Sequence, residues 1–281
     1  MSAFGGASVR EALDSAVIAI AASGSQTPRL DAEVLLAAAL GVDRLALFTD
    51  PDREVGGAAV RAFQDAVRRR SAGREPVAYI TGRRGFRHIE LAVDARVLVP
   101  RPETELLVEL GVALLARGAR VVDVGTGSGA VALALAQERP DLDVVATDVS
   151  AGALAVARAN ADRLGLGEAV ELREGDLLAG VGEADAVLSN PPYVAERERA
   201  GLAPEIVHHE PPGALFAGED GLDVIRRLVP AAAAAGARLL AIEHGIGQSQ
   251  AVGELIGQAG FTDLQAHRDL AGIERVAVGS R

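Results

Sequence analysis

About two thirds of the way along the chain, the tetrad Asn190-Pro191-Pro192-Tyr193 contains residue types that can bind a flat polar group. An apolar run, residues 187–189, leads into it. Proline lacks the N–H group that a central strand needs, and it keeps the preceding residue out of helical angles. We therefore expect Asn190 to end a buried strand with its amide projecting, where it can both donate and accept hydrogen bonds. A plain turn after a strand is the competing interpretation.

A glycine-rich motif, Asp123-Val124-Gly125-Thr126-Gly127-Ser128-Gly129, lies upstream between a predicted strand and a predicted helix. Glycine lets the backbone approach a ligand closely, and a helix N-terminus offers unpaired N–H groups. Asp148 ends the next predicted strand, where a carboxylate can accept both hydroxyl protons of a ribose. Because the glycine spacing also fits a nicotinamide dinucleotide fingerprint, it leaves the cofactor open.

The elements that must position these motifs alternate between strand and helix from residue 101 onward. Strands are predicted at 120–124, 144–148, 170–172, 185–189, 239–243, 261–266 and 273–278. This pattern predicts an α/β fold with a mostly parallel sheet and helices on both faces. Ligands of such sheets bind beyond the carboxyl ends of the strands. Asp148, Asp176 and Asn190 all follow strand ends, so we expect them to share one crevice.

The N-terminal part of the chain has a different character. Residues 8–72 show helical spacing of apolar residues and predict a small helical bundle, with a short turn near residues 45–48. Looser alternation from Val77 to Val93 predicts a strand hairpin that links two domains. The expected domains are 1–74, a helical unit for docking a partner; 75–100, a linker with the hairpin; and 101–281, the catalytic domain.

Composition narrows the possible functions. The 281 residues carry a formal net charge of −11 and include no cysteine. All 28 basic residues are arginine, which excludes a lysine of a phosphate-binding loop and any Schiff-base lysine. The acidity argues against wholesale binding to a nucleic-acid backbone. With no signal pattern and no apolar run of membrane-spanning length, we expect a cytoplasmic protein that does not contact membranes.

One segment departs from this acidity: eight arginines stand against two acids between Arg61 and Arg87. A solvated helix face is one interpretation. A docking surface for an acidic partner, built on Arg68, Arg69 and Arg70, is the other.

The tetrad and the glycine motif together resemble those of class I S-adenosylmethionine-dependent methyltransferases. Further blocks resemble the PrmC/HemK family of release factor glutamine methyltransferases: Glu75-Pro76-Val77-Ala78-Tyr79-Ile80-Thr81-Gly82, Val99-Pro100-Arg101-Pro102-Glu103-Thr104-Glu105, His209-Glu210-Pro211 and Glu243-His244-Gly245. The resemblance covers essentially the whole chain. It implies a Rossmann-like class I methyltransferase sheet with an N-terminal helical bundle and a linking β-hairpin. It also implies S-adenosylmethionine as cofactor, and N5-methylation of the glutamine in the Gly-Gly-Gln loop of peptide chain release factors.

The same resemblance implies roles for individual residues. The Asn190 side-chain oxygen and the Pro191 carbonyl would accept the two amide protons of the substrate, Pro192 would rigidify the loop and Tyr193 would form a pocket wall. Asn190, Pro191 and Tyr193 are the expected catalytic residues. Leu177 stands where several relatives carry an aromatic residue, and leucine cannot stack on an adenine as a ring does. The expected cofactor-binding residues are Asp123, Gly125, Thr126, Gly127, Ser128, Gly129, Asp148, Asp176, Leu177 and Asn190.

Other functions stay open from the sequence. A nucleic-acid methyltransferase acting on adenine N6 or guanine N2 would use the same tetrad on an exocyclic amine. A nicotinamide-dependent oxidoreductase fits the glycines but leaves the tetrad unexplained, and a pure binding module would leave both motifs idle. No metal site is expected, because the adjacent residues His208 and His209 face opposite ways on a strand, and neither they nor His244 has a suitably spaced third ligand.

Overall fold

The computed structural model describes residues 7–281, and the chain divides into two compact units. The helical unit comprises the residues up to Gly82 together with the segment Ala203–His209. The sheet unit comprises Arg83–Leu202 and Glu210–Arg281. The chain therefore leaves the sheet unit after Leu202 and re-enters it at Glu210. The sequence pattern does not predict that excursion.

Within residues 7–82 and 203–209, the helical unit contains six helices: α1 Val9–Ala22, α2 Pro28–Leu40, α3 Ala46–Thr49, α4 Gly57–Ser71, α5 Val77–Thr81 and α9 Pro204–His209. Local chemistry sets several of their ends. Ser8 and Glu11 form a capping box at the start of α1, and Gly41 ends α2 in the left-handed region with φ 65°. Buried apolar side chains from α1, α2, α3 and α4 form its core, including Leu13, Ile20, Leu35, Leu36, Leu47 and Phe63.

Two sequence-based expectations for this unit are wrong. Residues 46–49 form a short helix instead of a turn, and residues 77–81 form a helix instead of a strand. The helix at 77–81 starts after Pro76 and ends at Gly82, whose φ of 71° stops it. Val77 and Ile80 lie three positions apart and pack together against the core of the helical unit. Residues three positions apart lie on the same face of a helix. The loose alternation of apolar residues from 77 to 93 masked this helical spacing.

A buried ion network ties α9 to the rest of the helical unit. Arg70 is 6 % exposed, and its guanidinium donates to Asp31 at 2.7 Å, to Ser25 at 3.1 Å and to Glu205 at 3.2 Å. Arg74 also donates to the Glu205 carboxylate. The expectation that Arg70 belongs to an exposed docking surface is therefore wrong, because its charge is neutralised inside the unit.

The sheet unit contains a hairpin and one seven-stranded sheet. Its strands are β1 Arg83–Phe86, β2 Ile89–Ala92, β3 Arg120–Val124, β4 Asp143–Asp148, β5 Val170–Glu174, β6 Ala186–Ser189, β7 Leu239–Glu243, β8 Asp263–Arg268 and β9 Glu274–Ser280. Its helices are α6 Glu105–Leu114, α7 Ala130–Glu138, α8 Ala151–Leu164, α10 Asp223–Ala234 and α11 Ser249–Gln258. Strands β1 and β2 form the antiparallel hairpin. The predicted α/β class is confirmed, and a hairpin forms within the segment 75–100 where one was predicted.

The order of strands in the large sheet is β5-β4-β3-β6-β7-β9-β8, parallel except where β9 pairs with β7 and β8. From β3 the chain moves to β4 on one side, and later to β6 on the other. This reversal is a topological switch point, and it opens a crevice at the carboxyl ends of β3 and β6. Both strands are almost entirely buried, which explains their continuous apolar runs.

A buried asparagine links the hairpin to the crevice. Asn160, on α8, is 0 % exposed. Its Oδ1 accepts from the Ala92 N–H at 2.7 Å, and its Nδ2 donates to the carbonyls of Ala92 and Ser128 at 3.0 and 2.9 Å. All of its polar atoms are thus paired, and the glycine loop is tied to β2.

No helix within residues 7–281 is both long and apolar enough to cross a membrane.

Substituting Arg70 by methionine is expected to lower the free energy of unfolding by about 3–5 kcal/mol. The reason is that Asp31 and Glu205 lose a buried cationic partner while remaining desolvated. Urea denaturation measures this change. Arg68→Met is the matched control, since Arg68 pairs with Asp65 through side chains that are 75 % and 51 % exposed. That control should change stability by less than about 1 kcal/mol. Equal effects of the two substitutions would contradict a structural role for the network.

Candidate active site

The register of the parallel strands aligns four residues along the carboxyl edge of the sheet. Val124 pairs with Thr147 on one side and Ser189 on the other, and Ser189 pairs with Ile242. The residues one step further along are Gly125, Asp148, Asn190 and Glu243. Strand pairing alone therefore brings together the start of the glycine loop, the acid after β4 and the first residue of the tetrad. It also adds a glutamate that the sequence analysis did not place in the site.

A cavity of about 480 Å³ lies at this edge, a volume typical of small-molecule sites. Nine of the ten residues expected to bind the cofactor line it: Asp123, Gly125, Thr126, Gly127, Ser128, Asp148, Asp176, Leu177 and Asn190. The tenth, Gly129, caps α7 in the left-handed region with φ 84°. A side chain on Gly129 would also meet Leu133, since a Cβ there would lie 2.8 Å from the Leu133 Cδ1 atom.

The N–H groups of the glycine loop are largely used inside the protein. Those of Gly125 and Thr126 donate to the Thr147 carbonyl at 2.9 and 3.0 Å, and that of Gly129 donates to the Thr126 carbonyl. The Gly127 N–H donates to the Asp148 carboxylate at 2.9 Å. The N–H groups at these four positions are therefore already paired within the protein. The loop offers a ligand close backbone approach instead.

Asp123 lies beneath the glycine loop at 2 % exposure. Its Oδ2 accepts from the Thr126 hydroxyl at 2.6 Å and from the Ala132 N–H at 3.1 Å. Burial raises the pKa of this carboxyl to about 6, although the two hydrogen bonds oppose the shift. Asp123 therefore holds the loop against the start of α7, and it also reaches the cavity wall.

Each carboxylate oxygen of Asp148 accepts a hydrogen bond from a backbone N–H group. Its Oδ2 accepts from the Gly127 N–H, while its Oδ1 accepts from the Ser150 N–H at 2.8 Å. Each carboxylate oxygen has a second lone pair. Asp148 can therefore brace the glycine loop and still accept hydroxyl protons from a ligand in the cavity.

The far end of the cavity is more apolar. Val149 lines it with 74 % of its surface exposed, and Leu177 follows the end of β5 nearby. Leu177 has a φ of 55°, a strained value for leucine that is held by a hydrogen bond from the Thr147 hydroxyl to its carbonyl at 2.8 Å. Asp176 forms an exposed ion pair with Arg227 at the rim. Val149 and Leu177 can thus flank a flat ring through apolar contact.

Asn190, Pro191 and Pro192 all line the cavity. The Asn190 Nδ2 donates to the Thr104 hydroxyl at 2.9 Å. Its Oδ1 and the Pro191 carbonyl are the acceptors that the tetrad can offer to a bound group. Two such acceptors match the two N–H bonds of a primary amide or an exocyclic amine.

Tyr193 occupies a different place from the expected pocket wall. Its ring packs against the hydrophobic core of the sheet unit, and its hydroxyl donates to the Glu243 Oε1 at 3.2 Å. Glu243 is 1 % exposed, and burial raises its pKa to about 7, while the nearby hydroxyls of Thr104 and Tyr193 oppose the shift. Burial and the neighbouring Glu243 also raise the pKa of Tyr193. Tyr193 therefore anchors the tetrad to the core of the sheet unit, on the side that faces away from the cavity.

Three residues that the fold brings to this region were not expected there from the sequence: Thr104, Val149 and Glu243. Thr104 lies in a single-turn helix, Pro102–Thr104, in front of α6. Signals existed for two of them. Val149 directly follows the acid of β4, and Glu243 ends a strand that is otherwise apolar. A strand-end position alone would have placed both at the crevice.

The histidines stand elsewhere. His209 contacts the Gly73 carbonyl inside the helical unit at 2.8 Å, and His244 is 0 % exposed with its Nδ1 beside the Gly245 carbonyl. Burial lowers the pKa of His244. Over residues 7–281, no group of three or more histidine, aspartate or glutamate side chains is arranged to hold a metal ion.

The electrostatics of the crevice discriminate between ligands. A dinucleotide places its pyrophosphate on free N–H groups at a helix N-terminus. Here four loop N–H groups are taken, and the carboxyls of Asp123 and Asp148 lie beside them. The scarcity of free N–H donors and the negative charge of the carboxyls disfavour a bound diphosphate and favour a ligand with a positive charge.

Two family models match the chain. Residues 11–82 match the PrmC N-terminal domain, and residues 102–227 match the methyltransferase small domain. Solved structures resemble the chain more distantly. A methyltransferase from Pyrococcus furiosus aligns with a TM-score of 0.51 at 18 % identity, covering 68 % of this chain and 87 % of that one. The hMettl16 catalytic domain bound to the MAT2A 3'UTR hairpin 6 aligns with a TM-score of 0.55 at 19 % identity, covering 79 % and 81 %. Identities this low establish the fold alone.

Curated relatives are much closer in sequence. The release factor glutamine methyltransferase of Xylella fastidiosa (strain Temecula1) is 44 % identical over 276 residues, which cover 95 % of this chain and 98 % of the relative. The enzyme of the same name from Pseudomonas aeruginosa is 45 % identical over 263 residues, covering 91 % and 93 %. That of Deinococcus radiodurans is 44 % identical over 242 residues, covering 84 % and 86 %. The chain therefore belongs to the release factor glutamine methyltransferase family.

Proposed function

We propose that this protein transfers a methyl group from S-adenosylmethionine to the side-chain amide nitrogen (N5) of the Gly-Gly-Gln glutamine in peptide chain release factors. The observation that carries the proposal is the pair of acceptors at the end of β6, the Asn190 side chain and the Pro191 carbonyl, in the wall of an acidic cavity. The names of the near full-length relatives supply the substrate.

The residues of the cavity fit S-adenosylmethionine. The Asp148 carboxylate suits ribose hydroxyls, the glycine loop gives room for the methionine portion, and Val149 and Leu177 suit the adenine. Asp123 and Asp148 favour a ligand that carries a sulfonium charge. When bound, the cofactor supplies a strongly electrophilic methyl group, so the protein itself has mainly to orient the acceptor nitrogen.

A carboxamide nitrogen is a poor nucleophile, because its lone pair is delocalised into the carbonyl group. The Asn190 side-chain oxygen and the Pro191 carbonyl would each accept a hydrogen bond from one N–H group of the substrate amide. These two bonds would fix the direction of the lone pair on the amide nitrogen. As positive charge develops on the nitrogen, these N–H groups become stronger donors. The two acceptors would therefore bind the transition state more tightly than the ground state. The N–CH₃ bond would form as the S–CH₃ bond breaks, leaving S-adenosylhomocysteine, and the nitrogen would then lose one of its two protons to solvent.

We also propose roles for the two domains, a cellular location and a protein substrate. The helical domain, residues 1–74, is proposed to dock the release factor; residues 75–100 link it to the catalytic domain, residues 101–281. A cytoplasmic location agrees with a chain that uses no disulfides and with a substrate that acts on ribosomes. The acidity of the chain, with a formal net charge of −11, supports a protein substrate over nucleic acid.

Labelled methyl groups from S-adenosylmethionine are expected to appear on a purified release factor and not on its Gly-Gly-Ala variant. A scintillation or mass-spectrometric assay measures this directly. Label on both factors would move the methylated residue elsewhere on the substrate. If both factors stay unlabelled while an adenine- or guanine-containing oligonucleotide accepts the methyl group, the tetrad acts on an exocyclic amine and the proposal is wrong.

Asn190→Ala is expected to lower kcat by about 100-fold or more, because the loss of one pre-organised acceptor costs about 2.7–4 kcal/mol at the transition state. The Kd for S-adenosylmethionine should stay within about twofold of the wild-type value. Gln250→Ala is the control, as it removes another side-chain amide from an exposed face of α11. Near-normal turnover of Asn190→Ala would contradict the assigned role.

Asp148→Asn is expected to weaken S-adenosylmethionine binding by about 10- to 100-fold, since hydrogen bonds to a charged acceptor contribute about 1.5–3 kcal/mol. Isothermal titration calorimetry measures this change. Asp143→Asn alters the opposite end of the same strand, where Asp143 pairs with Arg120 at 2.6 Å, and it should leave the affinity unchanged. Equal affinities of the two variants would remove Asp148 from the cofactor site.

A further inference from the structure

Two segments of the sheet unit contact the tetrad from opposite sides of the sequence. In the first, residues 101–104, the Thr104 hydroxyl accepts from the Asn190 Nδ2 at 2.9 Å, and the Thr104 N–H donates to the Arg101 carbonyl at 3.1 Å. In the second, residues 210–215, the Leu215 carbonyl accepts from the Val194 N–H at 2.9 Å. Each segment is thus bonded to one end of the stretch 190–194.

An ion pair joins the two segments and closes a ring. The Arg101 Nη2 donates to the Glu210 Oε1 at 2.6 Å, and the Glu210 side chain is 1 % exposed. Removing one partner of a buried ion pair is strongly destabilising, because the other charge stays desolvated. The pair is therefore a persistent contact. We call residues 101–104, 190–194 and 210–215, with the contacts that join them, the rim.

The backbone of the rim is rigid. Five of the 12 prolines of the chain lie in it: Pro102, Pro191, Pro192, Pro211 and Pro212. Proline fixes its own φ angle and restricts the residue before it. Because the segments between the contacts have few conformations available, the contacts that join them decide where the rim lies.

The rim surrounds the acceptor end of the cavity. Thr104 from the first segment lines the cavity beside Asn190, as do Pro211, Gly213 and Ala214 from the second. Within residues 7–281, neither Arg101 nor Glu210 is part of the cavity lining. The ion pair can therefore act on a bound molecule only by holding the residues next to it.

We infer that the rim is the mouth through which the methyl acceptor enters, and that Arg101 and Glu210 are positioning residues that hold residues 211–214 opposite the tetrad. The inference rests on the proposed function and adds to it the part of the cavity that receives the glutamine side chain. The glycine loop, Asp148 and Leu177 are assigned to the cofactor, so a displaced rim should impair the acceptor alone.

Breaking the ion pair from either side is expected to lower kcat/KM for release factor methylation. Glu210→Ala and Arg101→Met should each reduce it by about tenfold or more, since a wall displaced by about 1 Å no longer aligns the acceptor. The Kd for S-adenosylmethionine should stay within about twofold of the wild-type value. The double variant should lie within about twofold of the slower single variant, because both changes cut one link.

Arg87→Met is the matched control. Arg87 pairs with Glu138 through side chains that are 15 % and 18 % exposed, also in the sheet unit, and neither residue is part of the cavity lining. It should leave kcat/KM within about twofold of wild type. Normal kcat/KM in both single variants, losses that multiply in the double variant, an equal loss in Arg87→Met, or a parallel loss of cofactor affinity would each overturn the inference.

Gly213 tests the mouth while the ion pair stays intact. It lines the cavity, its φ lies outside the left-handed region, and a Cβ there would have no heavy atom within 4 Å apart from its chain neighbours. A side chain is therefore tolerated and would narrow the mouth. Gly213→Leu should raise KM for the release factor by about tenfold or more, with the Kd for S-adenosylmethionine within about twofold of wild type.

Gly201→Leu is the control for that change. Gly201 has the same open surroundings and an ordinary φ, and it is not part of the cavity lining. A KM for Gly213→Leu no higher than that of Gly201→Leu would overturn the inference. So would a Kd for S-adenosylmethionine that rises as much as KM, because the narrowed space would then belong to the cofactor.

The hold of the ion pair on the rim can also be measured without a substrate. The Ala214 N–H donates to the Pro211 carbonyl at 2.9 Å, and the Leu215 N–H donates to the Pro212 carbonyl at 3.1 Å. Hydrogen–deuterium exchange of residues 213–215 in the free protein, read by mass spectrometry, should be at least about fivefold faster in Arg101→Met than in wild type or Arg87→Met. Equal rates overturn the inference. A wild-type protein that labels no release factor defeats the proposed function alone, while this experiment still decides whether Arg101 holds the rim.

Discussion

The pairing of β3 with β4 on one side and β6 on the other is the constraint on which this molecule depends. The connection after β3 leads to β4 on one side of it, and a later connection leads to β6 on the other side. Because the two connections diverge, a crevice stays open between the carboxyl ends of β3 and β6. Because all of these strands are parallel, their carboxyl ends deliver polar side chains to one edge. The hydrogen-bond ladder between the strands fixes the distance between residues that directly follow neighbouring strands. Their positions therefore do not depend on a flexible loop.

Burial gives that edge its chemical character. The carboxyls of Asp123 and Glu243 are nearly inaccessible, and burial raises the pKa values of both. The loop N–H groups that would draw in an anion are occupied by Thr147, Thr126 and Asp148. An acidic cradle with few free donors is suited to a cationic methyl donor. Four occupied loop N–H groups beside the carboxyls of Asp123 and Asp148 suit a cationic ligand better than a diphosphate, a distinction that the glycine spacing does not make.

The tetrad shows how a short motif depends on its surroundings. Proline supplies rigidity and a carbonyl acceptor, but the hydrogen-bond partners of the tetrad's side chains come from groups remote in sequence. Thr104, ahead of α6, contacts Asn190, and Glu243, at the end of β7, contacts Tyr193, so both contacts form only once the sheet is assembled. The helical unit shows a similar dependence: Arg70 and Arg74 hold Glu205, on a segment that directly precedes the re-entry of the chain into the sheet unit.

The sequence by itself determined the α/β class, the family and most helix and strand positions, because glycine, proline and strand-end acids act through local backbone chemistry. Nine of the ten residues that it marked for the cofactor line the cavity. Tertiary structure decided what depends on neighbours distant along the chain. It made residues 77–81 helical, buried Arg70 in an ion network and turned Tyr193 toward the core instead of the pocket. It also placed Thr104 beside Asn190 and Glu243 beside Tyr193. A hydrogen bond between residues on different elements leaves no periodic trace in the sequence, so these contacts could not be predicted from it.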